Sequence, residues 1–259
     1  MPPRFFVETP LTGAHSELTL APGAARHVQV LRLQPGAALT LFDGSGDEWS
    51  AELVRIGRSE VAVQLLTRQP VARELPFAVT LAVVMPANDR MDGIVEKATE
   101  LGVAVIQPLV SERSVLRLAA ERAEKKVAHW QGVAIAACEQ SGRAVLPKVA
   151  PVLSLATWLK QLGDPQPDQR RWLLSPTAAQ AIAAQSPAVH TLVLSGPEGG
   201  LSPAEEQAAR DQGFTCIQLG PRILRADTAP LAVLGWLGLQ ATGLNLLPVS
   251  VHQKAAGIA

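Results

Sequence analysis

Two stretches of the chain place residues able to do chemistry just past an apolar run. In the first, Leu192-Val193-Leu194 leads into Ser195-Gly196-Pro197-Glu198-Gly199-Gly200 and then Leu201-Ser202-Pro203-Ala204-Glu205. Ser202 is spaced to cap a helix, Pro203 suits its first position and Glu205 closes a capping box. A strand ends, a loop turns and a helix starts. Glycines there permit positive φ and let backbone approach a ligand, and open α/β sheets bind ligands at strand carboxyl ends. A tight turn that needs glycine for its own sake is the plain alternative.

The second stretch is Gln218-Leu219-Gly220-Pro221-Arg222-Ile223-Leu224-Arg225-Ala226-Asp227-Thr228-Ala229, again an apolar strand, a Gly-Pro turn and the start of an apolar helix. Two glycine-bearing strand exits in successive units can share one pocket, suited to an adenine and a ribose. Arg222 and Arg225 stand at its mouth, where a phosphate or an electron-rich base would be held. As helix-start residues they would otherwise be unfavourable, because cations are disfavoured at a helix amino terminus. A third cluster, Glu139, Gln140 and Arg143 around Ser141-Gly142, offers an acceptor, an amide and a cation within one turn. Alone it reads as a decorated helix end.

Common catalytic signatures are absent. The chain has no GxGxxG after a strand, no GxxxxGK[ST], no HExxH and no GxSxG, so dinucleotide oxidoreductases, P-loop enzymes, zincins and α/β-hydrolases lose support. His15, His27, His129, His190 and His252 lack metal-ligand spacing, and no metal is expected. Cys138 and Cys216 form no CxxC, which argues against a disulfide scaffold. The start, MPPRFFVETP, shows no secretory pattern, and the longest apolar run, Leu231 to Leu239, is too short to span a bilayer. The expectation is a reducing cytoplasm and no membrane partner.

The elements that must position these residues fall into two groups. Up to about residue 72 the pattern is β-rich: Arg4–Glu8, Leu39–Asp43, Glu48–Ile56 and Glu60–Thr67 alternate, with a turn at Asp43-Gly44-Ser45-Gly46. Only Ala24 to Leu33 reads helical there, so a small barrel with one helix is expected. From Phe77 the rhythm becomes strand, helix, strand, as for a mostly parallel sheet covered on both faces. Strands are expected at Phe77–Met85, Val103–Val110, Arg171–Leu174, Leu192–Leu194 and Thr215–Leu219. The first helix should carry Ile94, Val95, Ala98 and Leu101 on one stripe, capped by Asn88 or Asp89. Others are expected near 119–141, 177–185, 202–212 and 225–242, with a proline-bearing loop over 163–168.

With 259 residues, 47% of them hydrophobic, the chain has room for two domains and a large core. Lys+Arg 23 balances Asp+Glu 23, which argues against coating nucleic acid or anionic membrane by bulk charge. A local basic face remains open, since every base before residue 77 is Arg, the residue suited to bidentate phosphate contact; an Arg-rich genome explains the same bias.

Taken together, these segments resemble the RsmE family of ribosomal RNA small-subunit methyltransferases, S-adenosylmethionine enzymes of the SPOUT class that methylate N3 of a uridine. The likeness runs in order through Pro3-Arg4-Phe5-Phe6-Val7, His27-Val28-Gln29-Val30-Leu31-Arg32, Asp89-Arg90-Met91-Asp92, Glu96-Lys97-Ala98-Thr99-Glu100-Leu101-Gly102 and Arg113-Ser114. It continues in Glu139-Gln140-Ser141-Gly142-Arg143, Gly196 to Gly200 and Leu219 to Arg225. The resemblance implies an α/β fold: a PUA-like β-barrel over 1–72 that binds RNA, a SPOUT domain over 73–247 tied in a trefoil knot, and a tail over 248–259 expected to be disordered. It places the cofactor on Leu174, Ser195, Gly196, Pro197, Glu198, Gly199, Gly200, Leu219, Gly220, Ile223 and Leu224. It also implies a homodimer, with the apolar stretch Ala229–Leu247 a candidate for its interface. Where the family commonly reads Arg-Thr-Glu-Thr-Ala, this chain has Arg225-Ala226-Asp227-Thr228-Ala229, a carboxylate shorter by a methylene.

On this likeness the target is 16S ribosomal RNA, in the assembled small subunit. Arg225 is expected to face O2 or O4 of the uridine, with Glu139 or Asp227 taking the N3 proton. Arg4, Arg26, Arg32, Arg90, Arg113, Arg143 and Arg222 are expected RNA contacts. Another RNA acceptor on the same scaffold, or an RNA-binding assembly factor without catalysis, stays open at this point.

Overall fold

A computed structural model of the chain describes residues 2–57, 60–87, 90–114 and 119–241. The chain divides into two compact units: Met1–Glu74 with Cys138–Leu146, and Leu75–Ala137 with Pro147–Ala259. The boundary lies two residues beyond the expected one, and the return of 138–146 to the first unit was not foreseen.

The first unit holds β1 (Arg4–Phe6), β2 (Glu17–Thr19), α1 (Pro22–Val30), β3 (Ala38–Phe42), β4 (Asp47–Ile56) and β5 (Val61–Pro70). The sheet order is β1-β3-β4-β5-β2, with only β1 and β3 parallel. Alternation sends Leu39, Leu41, Leu53, Val61 and Val63 into a core that α1 closes with Ala25 and Val28. Asp43 organises the turn after β3: its carboxylate accepts from the Ser45 amide at 3.0 Å and the Leu11 amide at 2.9 Å. β2 was not expected; at three residues it is too short to show a period.

The second unit contains β6 (Ala78–Val84), α2 (Arg90–Glu100), β7 (Val105–Val110), α3 (Ala120–Ser141, whose last turn belongs to the first unit), β8 (Lys148–Val149) and β9 (Leu153–Ser154). There follow α4 (Leu155–Gln161), β10 (Gln169–Leu174), β11 (Gln180–Ala181), β12 (His190–Ser195), α5 (Pro203–Asp211), β13 (Thr215–Gln218) and α6 (Thr228–Ala241). The order is β11-β13-β10-β12-β6-β7-β8, with β9 also on β7, and every pairing is parallel. Central strands are apolar on both faces, as a sheet covered on both sides requires. Val79, Leu81 and Val83 face α2, α3 and α6 through Ile94, Trp130 and Leu234, while Ala82 and Val84 face α4 and α5 through Trp158 and Ala209.

The helix expected over 177–185 is instead β11 followed by one 3-10 turn, Ile182–Ala184. Pairing of Gln180 and Ala181 with Ile217 and Gln218 overrides the helical propensity of an alanine-rich stretch. α4 was missed, although Ser154 caps it through a bond from Thr157 N at 3.0 Å. Asn88 and Asp89, expected to cap α2, and the 248–259 tail lie outside the described residues.

Candidate functional site

A parallel sheet brings the carboxyl ends of its strands to one edge, and here three neighbouring exits, those of β13, β10 and β12, surround a cavity of about 710 Å³. This falls in the range of small-molecule sites. The β12 exit supplies Ser195 and Gly196 to Leu201, the β13 exit supplies Leu219, Gly220 and Arg222 to Ala226, and the β10 exit supplies Leu174 with Ser175 and Pro176. Each residue expected from the sequence to carry the cofactor lies on this wall. Leu174, Leu219 and Leu224 give it apolar surface. Gly200 with φ +66° and Gly220 with φ +103° turn the two loops in the left-handed region. A Cβ at either would meet nothing within 4 Å, so it is the conformation and not space that demands glycine.

The β12 loop is tied into a rigid start of α5. Gly200 N donates to the Pro197 carbonyl at 2.9 Å. The capping box is present, with Ser202 N donating to Glu205 Oε2 at 2.9 Å and Glu205 N donating to Ser202 Oγ at 3.3 Å. On the other side of the cavity the Arg225 carbonyl accepts from Thr228 N and Ala229 N, both at 3.0 Å, opening α6. Arg222 and Arg225 are exposed on the wall, and Ile223 between them is 86% exposed.

The remaining candidates separate. Arg90 lines the cavity and donates to Glu198 Oε1 at 3.2 Å. Arg113 donates from Nη1 to the carbonyls of Gly199 at 2.9 Å and Leu201 at 3.3 Å. Arg26 and Arg32 are exposed on α1 and just past it. Arg4 and Arg143 are buried, at 8% and 4% exposure, which corrects their expected role as RNA contacts. Arg4 pairs with Glu48 and donates to the Arg143 carbonyl at 3.0 Å; Arg143 pairs with Glu74.

Neither expected acid lies on the cavity wall. Glu139 belongs to the first unit, where it accepts from Phe6 N at 3.0 Å and stands 3.6 Å from His27 Nδ1. The physical reason is helix length: α3 runs for 22 residues, and its last turn packs Cys138 against Phe42 and Ala144 of that unit. Burial pushes the Glu139 carboxyl above the ordinary glutamate range, against the pull of the Phe6 amide and of His27 and Arg4. Asp227 takes a bond from Thr228 Oγ1 at 3.4 Å at the start of α6. The carboxylates on the wall are Glu198 and Glu206. Glu206, which sequence reasoning missed, pairs with Arg210 at 3.0 Å; it carries only an ordinary first-turn signal. Ser175 and Pro176 were missed too, although Ser-Pro after an apolar strand marks a turn.

Among the described residues no group of three or more His, Cys, Asp or Glu is placed to hold a metal, and no helix is long and apolar enough to cross a membrane.

A family model described as the RNA methyltransferase domain matches residues 73–238, and one described as the RNA methyltransferase PUA domain matches residues 21–66. The chain is 34% identical to the ribosomal RNA small subunit methyltransferase E of Synechocystis sp., over 84% of this chain and 71% of that one. It is also 34% identical to that of Bacillus subtilis, over 82% and 86%. A crystal structure of the corresponding protein from Neisseria gonorrhoeae bound to S-adenosyl methionine superposes with a TM-score of 0.86 at 34% identity, covering 93% of this chain and 98% of that one.

Proposed function

Because the chain belongs to the RNA methyltransferase family whose members include ribosomal RNA small subunit methyltransferase E, we propose that it transfers a methyl group from S-adenosylmethionine to N3 of one uridine of 16S ribosomal RNA, in the assembled small subunit. The observation that carries this reading is a cavity shared by three strand exits, two of them glycine-bearing, with two exposed arginines on its wall.

The residues present fit the cofactor. Leu174, Leu219 and Leu224 offer apolar surface to a flat base, and Gly196 and Gly220 expose main chain without a side chain in the way. When bound there, S-adenosylmethionine supplies a methyl group on a cationic sulfur. In the transfer the N3–C bond would form as the S–C bond breaks, the sulfur would leave as a neutral thioether with that electron pair, and the N3 proton would pass to water. Cation and developing anion cancel along this path, so positioning rather than strong anion binding gives most of the acceleration. Arg225, exposed on the wall, is the group that faces O2 or O4 of the uridine and makes the imide more acidic. Glu198 is engaged by Arg90 and the Ala87 amide, which suits it to holding the loop rather than moving a proton.

The same reading takes the family's trefoil knot for this domain. In its support, the chain leaves β12 for β13 on the far side of β10, and α6 then returns to pack on α2 and β12. It also takes the protein as a cytoplasmic homodimer. α6 carries no charged residue over its 14 positions and leaves Leu239 74% exposed, and a helix apolar all round belongs in an interior.

The deciding experiment mixes the protein and labelled S-adenosylmethionine with small subunits from a strain lacking this modification, followed by mass mapping. One added methyl on a single uridine base is expected. A methyl on ribose, or methylation of transfer RNA offered in a parallel reaction and not of the subunits, would assign another acceptor, and the absence of any cofactor-dependent rise in melting temperature would leave an RNA-binding protein.

A further inference from the structure

The loop after β12 is held chiefly by the exits of other strands. β6 lies next to β12 and β7 one place further, and in a parallel sheet all three exits emerge on one edge. From the β6 exit, the Ala87 amide and Arg90 Nη1 both donate to Glu198 Oε1 at 3.2 Å. From the β7 exit, the Glu112 amide donates to Glu205 Oε1 at 2.8 Å, and Arg113 donates to the Gly199 and Leu201 carbonyls. The turn that carries Arg113 is itself fixed. Ser111 N donates to Ser114 Oγ at 2.8 Å, Ser114 N donates to the Ser111 carbonyl at 3.2 Å, and both serines are buried.

A peptide is planar, so pinning a carbonyl fixes the amide of the next residue. With its Gly199 partner, Arg113 sets the plane that aims Gly200 N at the Pro197 carbonyl; with Leu201, it sets the plane that aims Ser202 N at Glu205. Gly200, at φ +66°, lies between these two planes. A segment with glycine at positions 196, 199 and 200 otherwise samples many conformations, and a ligand would have to order it at the cost of affinity. The guanidinium is the strut that does this in advance.

We infer that Arg113 is a positioning residue that preorganises the cofactor loop, and not the phosphate contact its charge suggests. The inference rests on the proposed use of this loop for S-adenosylmethionine.

The test compares wild type, Arg113→Ala and Arg113→Lys by calorimetric titration with S-adenosylmethionine, by steady-state kinetics and by RNA binding across salt concentrations. Arg113→Ala is expected to raise the Kd for the cofactor about tenfold, equivalent to about 1.4 kcal/mol. The KM for the cofactor should rise in step while kcat at saturation stays within about twofold. Arg113→Lys keeps a cation on a side chain one bond shorter and should recover part of the affinity. The salt slope of RNA binding should not change. The inference is overturned if Arg113→Ala binds the cofactor like wild type while its RNA salt slope falls by about one, the signature of a lost phosphate contact. Wild type that fails to bind the cofactor would sink the functional reading and this inference with it. Should Arg113→Ala fail to fold, Arg113→Lys against Arg113→Gln makes the same comparison.

Discussion

Arg143 and Glu74, 69 residues apart in the chain, meet in a two-pronged ion pair: Nε donates to Oε1 at 3.1 Å and Nη2 to Oε2, with the arginine 4% exposed. Such a fork is a fixture of the fold, since a guanidinium committed to a carboxylate and shielded from solvent has little left to offer a phosphate. Arg143→Ala strands the Glu74 carboxylate and should lower the unfolding free energy by about 3 kcal/mol. The check is a urea titration: a lower midpoint at unchanged slope.

Glu139 predicts a pH dependence. Its folded carboxyl titrates above the ordinary value of 4.5, because burial favours the protonated form. Its stabilising contribution is therefore fully present below 4.5 and is lost as pH rises through the higher folded value. Glu139→Gln keeps an acceptor for the Phe6 amide and removes the titration. The stability of the variant relative to wild type should climb as pH rises through that window, and a flat difference from pH 4 to 8 would count against the assignment.

The two thiols should respond differently to alkylation. Burial pushes the Cys138 thiol up to about 12, so it is both enclosed and un-ionised at neutral pH. Cys216 is only partly enclosed. Iodoacetamide on the native protein should label Cys216 first, with Cys138 following only in denaturant, as read by intact mass.

Arg32 closes α1 in the left-handed region, at φ +53°. Its amide donates to the Gln29 carbonyl at 3.0 Å and the Leu33 amide to the Val28 carbonyl at 3.4 Å, the pattern that normally ends on glycine. Arg32→Gly should raise stability by about 0.5–1 kcal/mol, the steric relief less the entropy of a freer unfolded chain. If the side chain is a phosphate contact, the same variant should bind RNA more weakly with a salt slope reduced by about one. Gain in melting temperature with loss of RNA affinity is the expected pair of results.

Arg225→Ala should abolish methylation while leaving the cofactor Kd within about threefold of wild type, since the glycine loops and apolar wall stay in place. Retained turnover would remove Arg225 from the reaction.

Much of this arrangement was legible where local signals agree with tertiary ones. Ser202, Pro203 and Glu205 announced the start of α5, and the box they form is present. The apolar run from Ala78 to Val84 is a buried strand because both its faces are covered. Gln180 and Ala181 misled because pairing to β13, a partner more than thirty residues on, outweighed a local helical preference. Glu139 misled for a different reason: its motif implied function, but nothing in its neighbours' types told which of two cores the last turn of α3 would join. Arg4 and Arg143 show the same limit, since charge is visible in sequence and burial against Glu48 and Glu74 is not.

The first unit is not a contiguous stretch of chain. Residues 138–146 return to it, with the Ala144 carbonyl accepting from Gly46 N at 3.1 Å and the Gly142 carbonyl from Arg73 at 2.6 Å. During synthesis the first five strands therefore leave the ribosome first but have to wait for some seventy further residues before the last contacts of their unit can close, several seconds at ordinary elongation rates of about 5–20 residues per second. A nascent chain halted near residue 74 should remain protease-sensitive in this unit, and one extended past residue 146 and clear of the exit tunnel should not. The unit that is begun first is completed only after most of a long helix of the other has been made.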